Sequence, residues 1–208
     1  MLFRSPLSKI KPESVIGTSS LRRRAQLLRV RPDVTVTDLR GNLDTRLKKV
    51  DAEGPPDGAI LASAGLLRMG WDDRIAEVLD GDVMLPAPGQ GAVAVQGRSE
   101  DSGTQEILQP LDCSATRAAV TAERAFLHGL GGGCHVPIGC LARVENDTLA
   151  IDGGVFSIDG QQGIRKTLTG DPSEASELGQ ALAEHLLAEG AAEILELCEP
   201  DTAEYRSE

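Results

Sequence analysis

Residues 15–70 alternate short strand-like runs with helical stretches of about ten residues, and this alternation constrains the fold more than any other feature. Val15-Ile16 leads into a helical stretch, and VTVTDL then alternates apolar and polar positions with β-branched residues, as strands do. A second helix over LDTRLKKVDA, a turn at 54–58 and the apolar run AILASAG follow. Strands separated by helices in this way predict βαβ units around a parallel sheet.

The second half of the chain has a different pattern. A helix over 115–130 precedes three strand-like runs, CLARVE, TLAIDGGVFS and GIRKTLTG, which are joined by turn signals and predict an antiparallel meander. A long helix from Ser173 and a short last helix close the chain. We therefore predict an α/β fold: a βαβ domain with a parallel-rich sheet over 15–86, and a small α+β C-terminal domain with a three-stranded antiparallel sheet over 113–208.

The segment between these two domains, 87–112, is predicted to be a hinge. LPAPGQG combines two prolines with two glycines, which suits a crossing point between domains. AVAVQG, directly after it, has the alternation of a strand, whereas SEDSGTQEILQPLD is polar and is predicted to be a connection.

Charge is distributed unevenly along the chain. The net charge is −11 and aromatic residues make up 2%, which disfavours nucleic acid and anionic membrane surfaces as partners. Between Gly17 and Lys49, however, nine basic residues face three acidic ones, a local net charge of +6. A basic island in an acidic protein predicts a local site for an anion.

Two groups of polar and basic residues follow strand ends within this island. GTSSLRR joins a strand to a helix start, where hydroxyl groups can cap the helix and guanidinium groups can grip carboxylate or phosphate. LRGN with Arg46 repeats the arrangement at the next strand end, and ligands of open α/β sheets bind at such ends. Position favours an anion site over a solvated helix face for Arg22, Arg23, Arg40 and Arg46. The solvated face is favoured for Arg24, Arg29 and Arg31.

The loop GGGCHVPIG presents Cys134 among glycines, without side chains to shield its thiol. The alternatives are a small buried hydrophobic residue, which we expect for Cys113, Cys140 and Cys198, and a catalytic pair with His135, which adjacent residues seldom form. The ligand spacing of a zinc site is missing, so no metal is predicted. Four irregularly spaced cysteines and the absence of a secretory signal predict a reduced, cytoplasmic protein without a membrane anchor.

Six motifs in register resemble the porphobilinogen deaminase family, also called hydroxymethylbilane synthases, from about Val15 to Leu197. They are VIGTSSLRR, LRGNLDTRL, AILASAGLLRMG, LPAPGQGAVAV, TAERAFL and GGGCHVPIG. The resemblance implies a three-domain α/β protein whose first two domains are similar to periplasmic binding proteins. Residues 15–86 would then be the second domain and 113–208 the third, while 1–14 do not match.

The resemblance also implies a chemistry. Members are transferases of tetrapyrrole and haem biosynthesis that join four porphobilinogens head to tail, releasing ammonia each time, to give hydroxymethylbilane. A dipyrromethane cofactor is attached to the loop cysteine, here Cys134, through a thioether. Its acetate and propionate groups, and those of the growing oligopyrrole, would be bound by Ser20, Arg22, Arg23, Arg40 and Arg46, with Thr18, Ser19 and Gln90 nearby.

The resemblance implies a monomer with roughly a hundred further residues before VIGTSS, a normal domain size. That region carries the family's proton-handling carboxylate, so we identify no catalytic acid or base in this sequence and expect the chain alone to be inactive. AVAVQG would be the strand returning to that domain. The alternative from another class is a noncatalytic anion-binding module of periplasmic-binding-protein type, which would not need an exposed cysteine on a glycine loop.

Overall fold

The computed structural model describes residues 2–3, 5–132 and 136–198. Its first sheet contains β1 (Leu2–Phe3), β2 (Val15–Gly17), β3 (Thr35–Thr37) and β4 (Gly58–Ile60), in the order β1-β4-β2-β3. Strand β2 runs parallel to both β3 and β4, with Val15 opposite Thr35 and Ile16 opposite Gly58. Strand β1 is antiparallel to β4. The predicted parallel-rich sheet is confirmed.

Helices cover both faces of this sheet. They are α1 (Leu21–Val30), α2 (Leu43–Asp51) and α3 (Ser63–Arg68). Neighbouring residues of a strand point to opposite faces, and β4 shows the consequence. Ala59 belongs to a core cluster with residues of α2 and α3, whereas Ile60 belongs to a second cluster with Leu27 of α1. The sheet is therefore buried on two sides, as parallel sheets usually are.

The second sheet forms the antiparallel meander that the sequence predicts. Its strands are β5 (Ile138–Glu145), β6 (Thr148–Phe156) and β7 (Gly163–Gly170), in the order β5-β6-β7. The helices α5 (Ser114–Gly129) and α6 (Ala175–Ala188) pack with it, and α7 (Ala191–Glu196) follows. Phe126, Leu149, Ile151 and Leu182 are fully buried in this core. Together with the first sheet, this confirms the predicted α/β fold with an α+β C-terminal part.

The segment between the two sheets differs from the sequence-based expectation. The predicted strand in AVAVQG is wrong, because 92–97 is irregular and Val93 is 93% exposed. The alternation of valines is present, but the described residues offer this segment no strand whose N–H and C=O groups it could pair with. The polar stretch expected to be a connection contains a helix, α4 (Ser102–Leu108). The domain boundaries at 86 and 113 stay predictions.

Close contacts join the two units of the molecule: the first is built around the sheet of β1 to β4, and the second, which we call the C-terminal unit, around the sheet of β5 to β7. A Cβ added to Gly160, in the turn between β6 and β7, would lie 2.5 Å from the backbone nitrogen of Arg29 in α1. Arg165 of β7 donates hydrogen bonds to the carbonyl oxygens of Gly81 and Asp82. Within the described part of the chain, no helix has the length and apolar character needed to cross a bilayer.

Candidate functional site

The loop after β2 is held by its own hydroxyl groups. Thr18 donates its backbone N–H to the carbonyl of Thr37, and its Oγ1 accepts the N–H of Ser20 at 3.3 Å. The Ser19 hydroxyl oxygen accepts the N–H of Leu39 at 3.0 Å, which ties the ends of β2 and β3 together. Ser20 caps α1 by accepting the N–H of Arg23. The hydroxyl groups of these three residues therefore hold the backbone of the loop in place, and each already accepts a hydrogen bond from a backbone N–H.

Arg22 and Arg23, in the first turn of α1, are half-buried and bonded to neighbouring backbone. Arg22 Nη1 donates to the carbonyl of Leu85 at 2.5 Å, and Arg23 Nη1 donates to the carbonyl of Ile60 at 3.0 Å. Burial, with repulsion from Arg23, lowers the pKa of Arg22 to about 10. Burial also lowers the pKa of Arg23, with a further contribution from the positive charge of Arg46. Arg23 thus interacts electrostatically with both Arg22 and Arg46, and we call these three residues the arginine cluster.

The arginine cluster has no counter-charge among the described residues. None of its members is in an ion pair with a described carboxylate, although eight such pairs occur elsewhere. Removing guanidinium groups from water without a counter-charge is unfavourable. An anionic ligand that accepts hydrogen bonds from them would offset that cost. The geometry therefore supports the predicted anion site at the carboxyl end of β2.

Two of the predicted site residues lie in more open positions. Arg40 has an 81% exposed side chain and forms an ion pair with Asp38 at 3.2 Å, so it is not buried with the arginine cluster. Gln90 is exposed on a turn, where its N–H donates to the carbonyl of Ala87. Both neighbours of Gln90, Gly89 and Gly91, have positive φ values of 73° and 94°, which explains the glycines of this motif.

The three arginines expected on a solvated helix face differ from one another. Arg29 is exposed as expected. The expectation is wrong for Arg31, which donates to the carboxylate of Asp33 and to the carbonyls of Leu7 and Ile10. Arg31 therefore fastens the first residues of the chain to α1. Arg24 is partly buried, and its Nε has no hydrogen-bond partner among the described residues.

The cysteines divide into three groups. Cys134 and its neighbours Gly133 and His135 lie outside the described residues. Cys140 and Cys198 are buried, as expected, but the expectation is wrong for Cys113, which is exposed at the N-cap of α5. The described residues contain no group of His, Cys, Asp and Glu side chains that could hold a metal ion.

Two buried polar residues were missed by the sequence analysis. Gln26 of α1 exchanges hydrogen bonds with Leu85 through both its amide oxygen and its amide nitrogen. Glu123 of α5 accepts the N–H of Gly89 at 2.6 Å and that of Ala142 at 2.7 Å. A signal for Glu123 exists in the sequence, because it lies three residues before the inward-facing Phe126 on the same helix.

Comparison with known proteins gives the same picture along nearly the whole chain. A family model described as "Porphobilinogen deaminase, dipyromethane cofactor binding domain" matches residues 2–106, and one described as "Porphobilinogen deaminase, C-terminal domain" matches residues 117–188. The first match includes residues 2–14, so the similarity extends further toward the amino terminus than the motifs indicated.

Three bacterial porphobilinogen deaminases illustrate the similarity. That of Thermus thermophilus is 49% identical over 190 residues, which are 91% of this chain and 63% of the relative. Those of Roseiflexus castenholzii and an Exiguobacterium species are each 49% identical, over 86% and 88% of this chain and 59% of each relative. The chain thus spans about 60% of the length of the curated relatives it matches. With one family model covering half of the chain and a second covering most of the remainder, the chain belongs to the porphobilinogen deaminase family.

Proposed function

We propose that this chain serves hydroxymethylbilane synthesis, the transferase step of tetrapyrrole and haem biosynthesis that condenses four porphobilinogens head to tail. The condensation takes place on a dipyrromethane cofactor joined to Cys134 by a thioether. We further propose that the ligands are porphobilinogen and its oligopyrrole intermediates, and that the protein acts as a cytoplasmic monomer. Membership of the family supports the reaction. The first matching family model describes a dipyrromethane cofactor binding domain, which supports the cofactor.

The observation that carries this proposal is the arginine cluster. Each pyrrole of the cofactor and substrate bears two carboxylates, and planar guanidinium forks bind carboxylates in a bidentate manner that lysine cannot reproduce. The positive charge of Arg23 contributes to the lowered pKa of Arg22, that of Arg46 contributes to the lowered pKa of Arg23, and none of the three has a described carboxylate as partner. A dipyrrole with four carboxylates fits this charge. The residues present therefore suit the proposed cofactor and substrate.

The chain's own part in the reaction is to bind and orient. When bound, the dipyrromethane supplies the pyrrole carbon to which the first substrate is added. Each addition would replace the bond between the aminomethyl carbon and its nitrogen by a carbon–carbon bond, with the proton of the pyrrole carbon leaving on the released ammonia, while the arginine cluster would hold the carboxylates in place. With a pKa of about 10, Arg22 stays charged at neutral pH and holds carboxylates without exchanging protons.

Intact-protein mass spectrometry tests the proposal. After incubation of the purified chain with porphobilinogen, we expect a covalent adduct of pyrrole units that peptide mapping places on Cys134. The Cys134→Ser variant should lose this adduct. The Cys113→Ser variant is the matched control, because Cys113 is an exposed thiol that could react without a specific site. An adduct that disappears with Cys113→Ser, or none at all, contradicts the assignment and favours a noncatalytic anion-binding module.

A further inference from the structure

One buried carboxylate takes no part in the proposed ligand binding. Glu123 is 5% exposed in the middle of α5, and no described arginine or lysine forms an ion pair with it. Burial raises its pKa, while the bonds from the two backbone N–H groups work in the opposite direction. Such a group is costly to keep inside a protein unless its hydrogen bonds are satisfied, and here both oxygens are.

The two amides that Glu123 accepts belong to different parts of the molecule. Ala142 lies in β5 of the C-terminal unit, whereas Gly89 lies in the turn formed by residues 86–90, of which Gln90 is the last. The pairs are separated by 19 and 34 residues along the chain. Glu123 therefore links a helix, a strand and a turn through one carboxylate.

The same turn is attached to the arginine cluster from its other side. Leu85, one residue earlier, accepts hydrogen bonds from Arg22 and Gln26 and returns one to Gln26. Pro86 accepts the N–H of Cys140 at 2.9 Å. A Cβ on Gly139 would lie only 2.6 Å from Cβ of Leu85, so the strand and the turn are in close contact. Through these bonds the segment from Leu85 to Gly89 connects Arg22 with α5.

We propose that Glu123 is a positioning residue whose carboxylate fixes the turn 86–90, and with it Gln90, relative to the arginine cluster. The helix that carries Glu123 ends at Gly129, shortly before Cys134 in the sequence. The bond to Gly89 therefore also sets the distance between the anion site and the helix preceding the cofactor loop. This inference rests on the proposed function for its ligand, but its structural part does not depend on any ligand.

Glu123→Gln is the test, because the amide keeps the size of the side chain but can accept a bond with only one of its two terminal atoms. We expect the backbone amides of Gly89 and Ala142 to be protected in the wild-type chain, and at least one to exchange with solvent tenfold faster or more in the variant. Porphobilinogen, as the probe, should bind at least threefold more weakly at a temperature well below the melting temperature. Glu177→Gln, at an exposed position of α6, should change neither quantity.

The outcomes separate this inference from the proposed function. If the wild-type chain fails to bind porphobilinogen, the proposed function fails, and the amide exchange still decides whether Glu123 fixes the turn. Unchanged exchange at both amides in Glu123→Gln would overturn the inference. So would a lower melting temperature with an unchanged Kd, which indicates a merely structural role. If Glu123→Gln does not fold, Glu123→Asp keeps the charge but is too short to reach both amides, and it should release one of them selectively.

Discussion

Arg22 and Arg46 contribute the same charge to the anion site but differ in what else they hold. Arg22 is half-buried and bonded to the carbonyl of Leu85, in the segment that joins the two units. Arg46 Nε donates to the carbonyl of Gly41, which lies just before the start of its own helix. Substituting each by lysine, which keeps the charge but loses the planar fork, can therefore separate ligand binding from structure.

Arg46→Lys should weaken porphobilinogen binding about ten- to a hundredfold, which corresponds to the roughly 1.5–3 kcal/mol that a hydrogen bond to a charged group contributes, while the free energy of unfolding changes by less than about 0.5 kcal/mol. Arg22→Lys should weaken binding similarly and also lower the free energy of unfolding by about 1 kcal/mol, because the bond to Leu85 is lost. Isothermal titration and urea unfolding measure the two quantities. Arg29→Lys is the control and should change neither; equal effects at Arg29 and Arg46 would mean that any arginine of the basic island suffices.

The exposed cysteine, Cys113, should be a reactive thiol. Hydrogen bonds from the hydroxyl and the backbone N–H of Thr116 lower its pKa, whereas burial raises that of Cys140. A lower pKa leaves more thiolate at a given pH, and the thiolate is the nucleophile. Iodoacetamide at pH 7.5 should therefore label Cys113 well before Cys140 and Cys198, and the rate should fall as the pH drops below the pKa of Cys113. Peptide mapping measures this. Cys140 should react only after denaturation, and rapid labelling in the native chain would contradict its burial.

At the scale of elements, Gly179 allows α6 to pack closely against the backbone of α5. A Cβ on Gly179 would lie 2.1 Å from the carbonyl oxygen of Ala122, which is backbone and cannot move without displacing its helix. Gly179→Ala should therefore separate the two helices and cost about 1–3 kcal/mol of the free energy of unfolding, measured by urea denaturation.

Gly103→Ala in α4 is the matched control for that substitution. Its nearest neighbour would be Asp101 Oδ1 at 3.8 Å, an ordinary contact. Alanine in an unstrained helical position raises stability by about 0.4–1 kcal/mol, because the unfolded chain loses conformational freedom. The two glycine substitutions should thus have opposite signs, and a stabilising Gly179→Ala would show that α5 and α6 are not in close contact.

Elements whose signal is local could be predicted from the sequence. The strand β3 has an alternating run, β2 and β4 have short apolar runs, and turn or helix signals follow each of them, so all three strands were predicted. The helix α4 also has a local signal, since Asp101 accepts the N–H of Thr104 as its cap, but the surrounding polarity hid it. Residues 92–97 do have the alternating valines that are typical of a strand. A strand also requires a neighbouring strand to pair with, and a short stretch of sequence does not show whether one is present.

The part of the candidate site that has a local signal could be predicted from the sequence, and the part that depends on contacts between distant residues could not. Ser20, Arg22 and Arg23 lie in one continuous motif, and their position at a strand end follows from the βαβ pattern. The bonds that Gln26 and Glu123 make span 59 and 34 residues, so only the folded chain reveals them. The exposure of Cys113, which the sequence analysis expected to be buried, likewise depends on distant neighbours rather than on adjacent residues.

At the scale of the whole molecule, the contact between the two units combines a small apolar cluster, Ala25 and Leu85 with Leu141 and Phe156, with a few polar side chains. Arg165 forms an ion pair with Asp152 inside the C-terminal unit and donates to Gly81 and Asp82 of the other unit. Its guanidinium is 27% exposed, so these bonds are only partly screened by water. Gly160 adds a close backbone contact with α1 but no charge. We therefore expect Arg165 to be the residue that most strongly couples the unfolding of the two units.

Arg165→Gln should lower the free energy of unfolding by about 1.5–3 kcal/mol, since it removes charged hydrogen bonds and leaves Asp152 without its partner.

Two spectroscopic probes can show in which unit the stability is lost. Trp71, the single tryptophan, packs on the core between the first sheet and α2, whereas the two longest helices, α5 and α6 with 16 and 14 residues, belong to the C-terminal unit. Tryptophan fluorescence and circular dichroism should give one coincident urea transition in the wild-type chain. In Arg165→Gln the two transitions should separate, because the units no longer stabilise each other through this side chain.

Lys166→Gln is the matched control, because the ion pair of Lys166 with Glu189 lies inside the C-terminal unit. It should shift the transitions seen by both probes together, and by less than about 1 kcal/mol. Coincident transitions in Arg165→Gln would mean that the apolar cluster around Leu85 and the backbone contact at Gly160 are sufficient to couple the units.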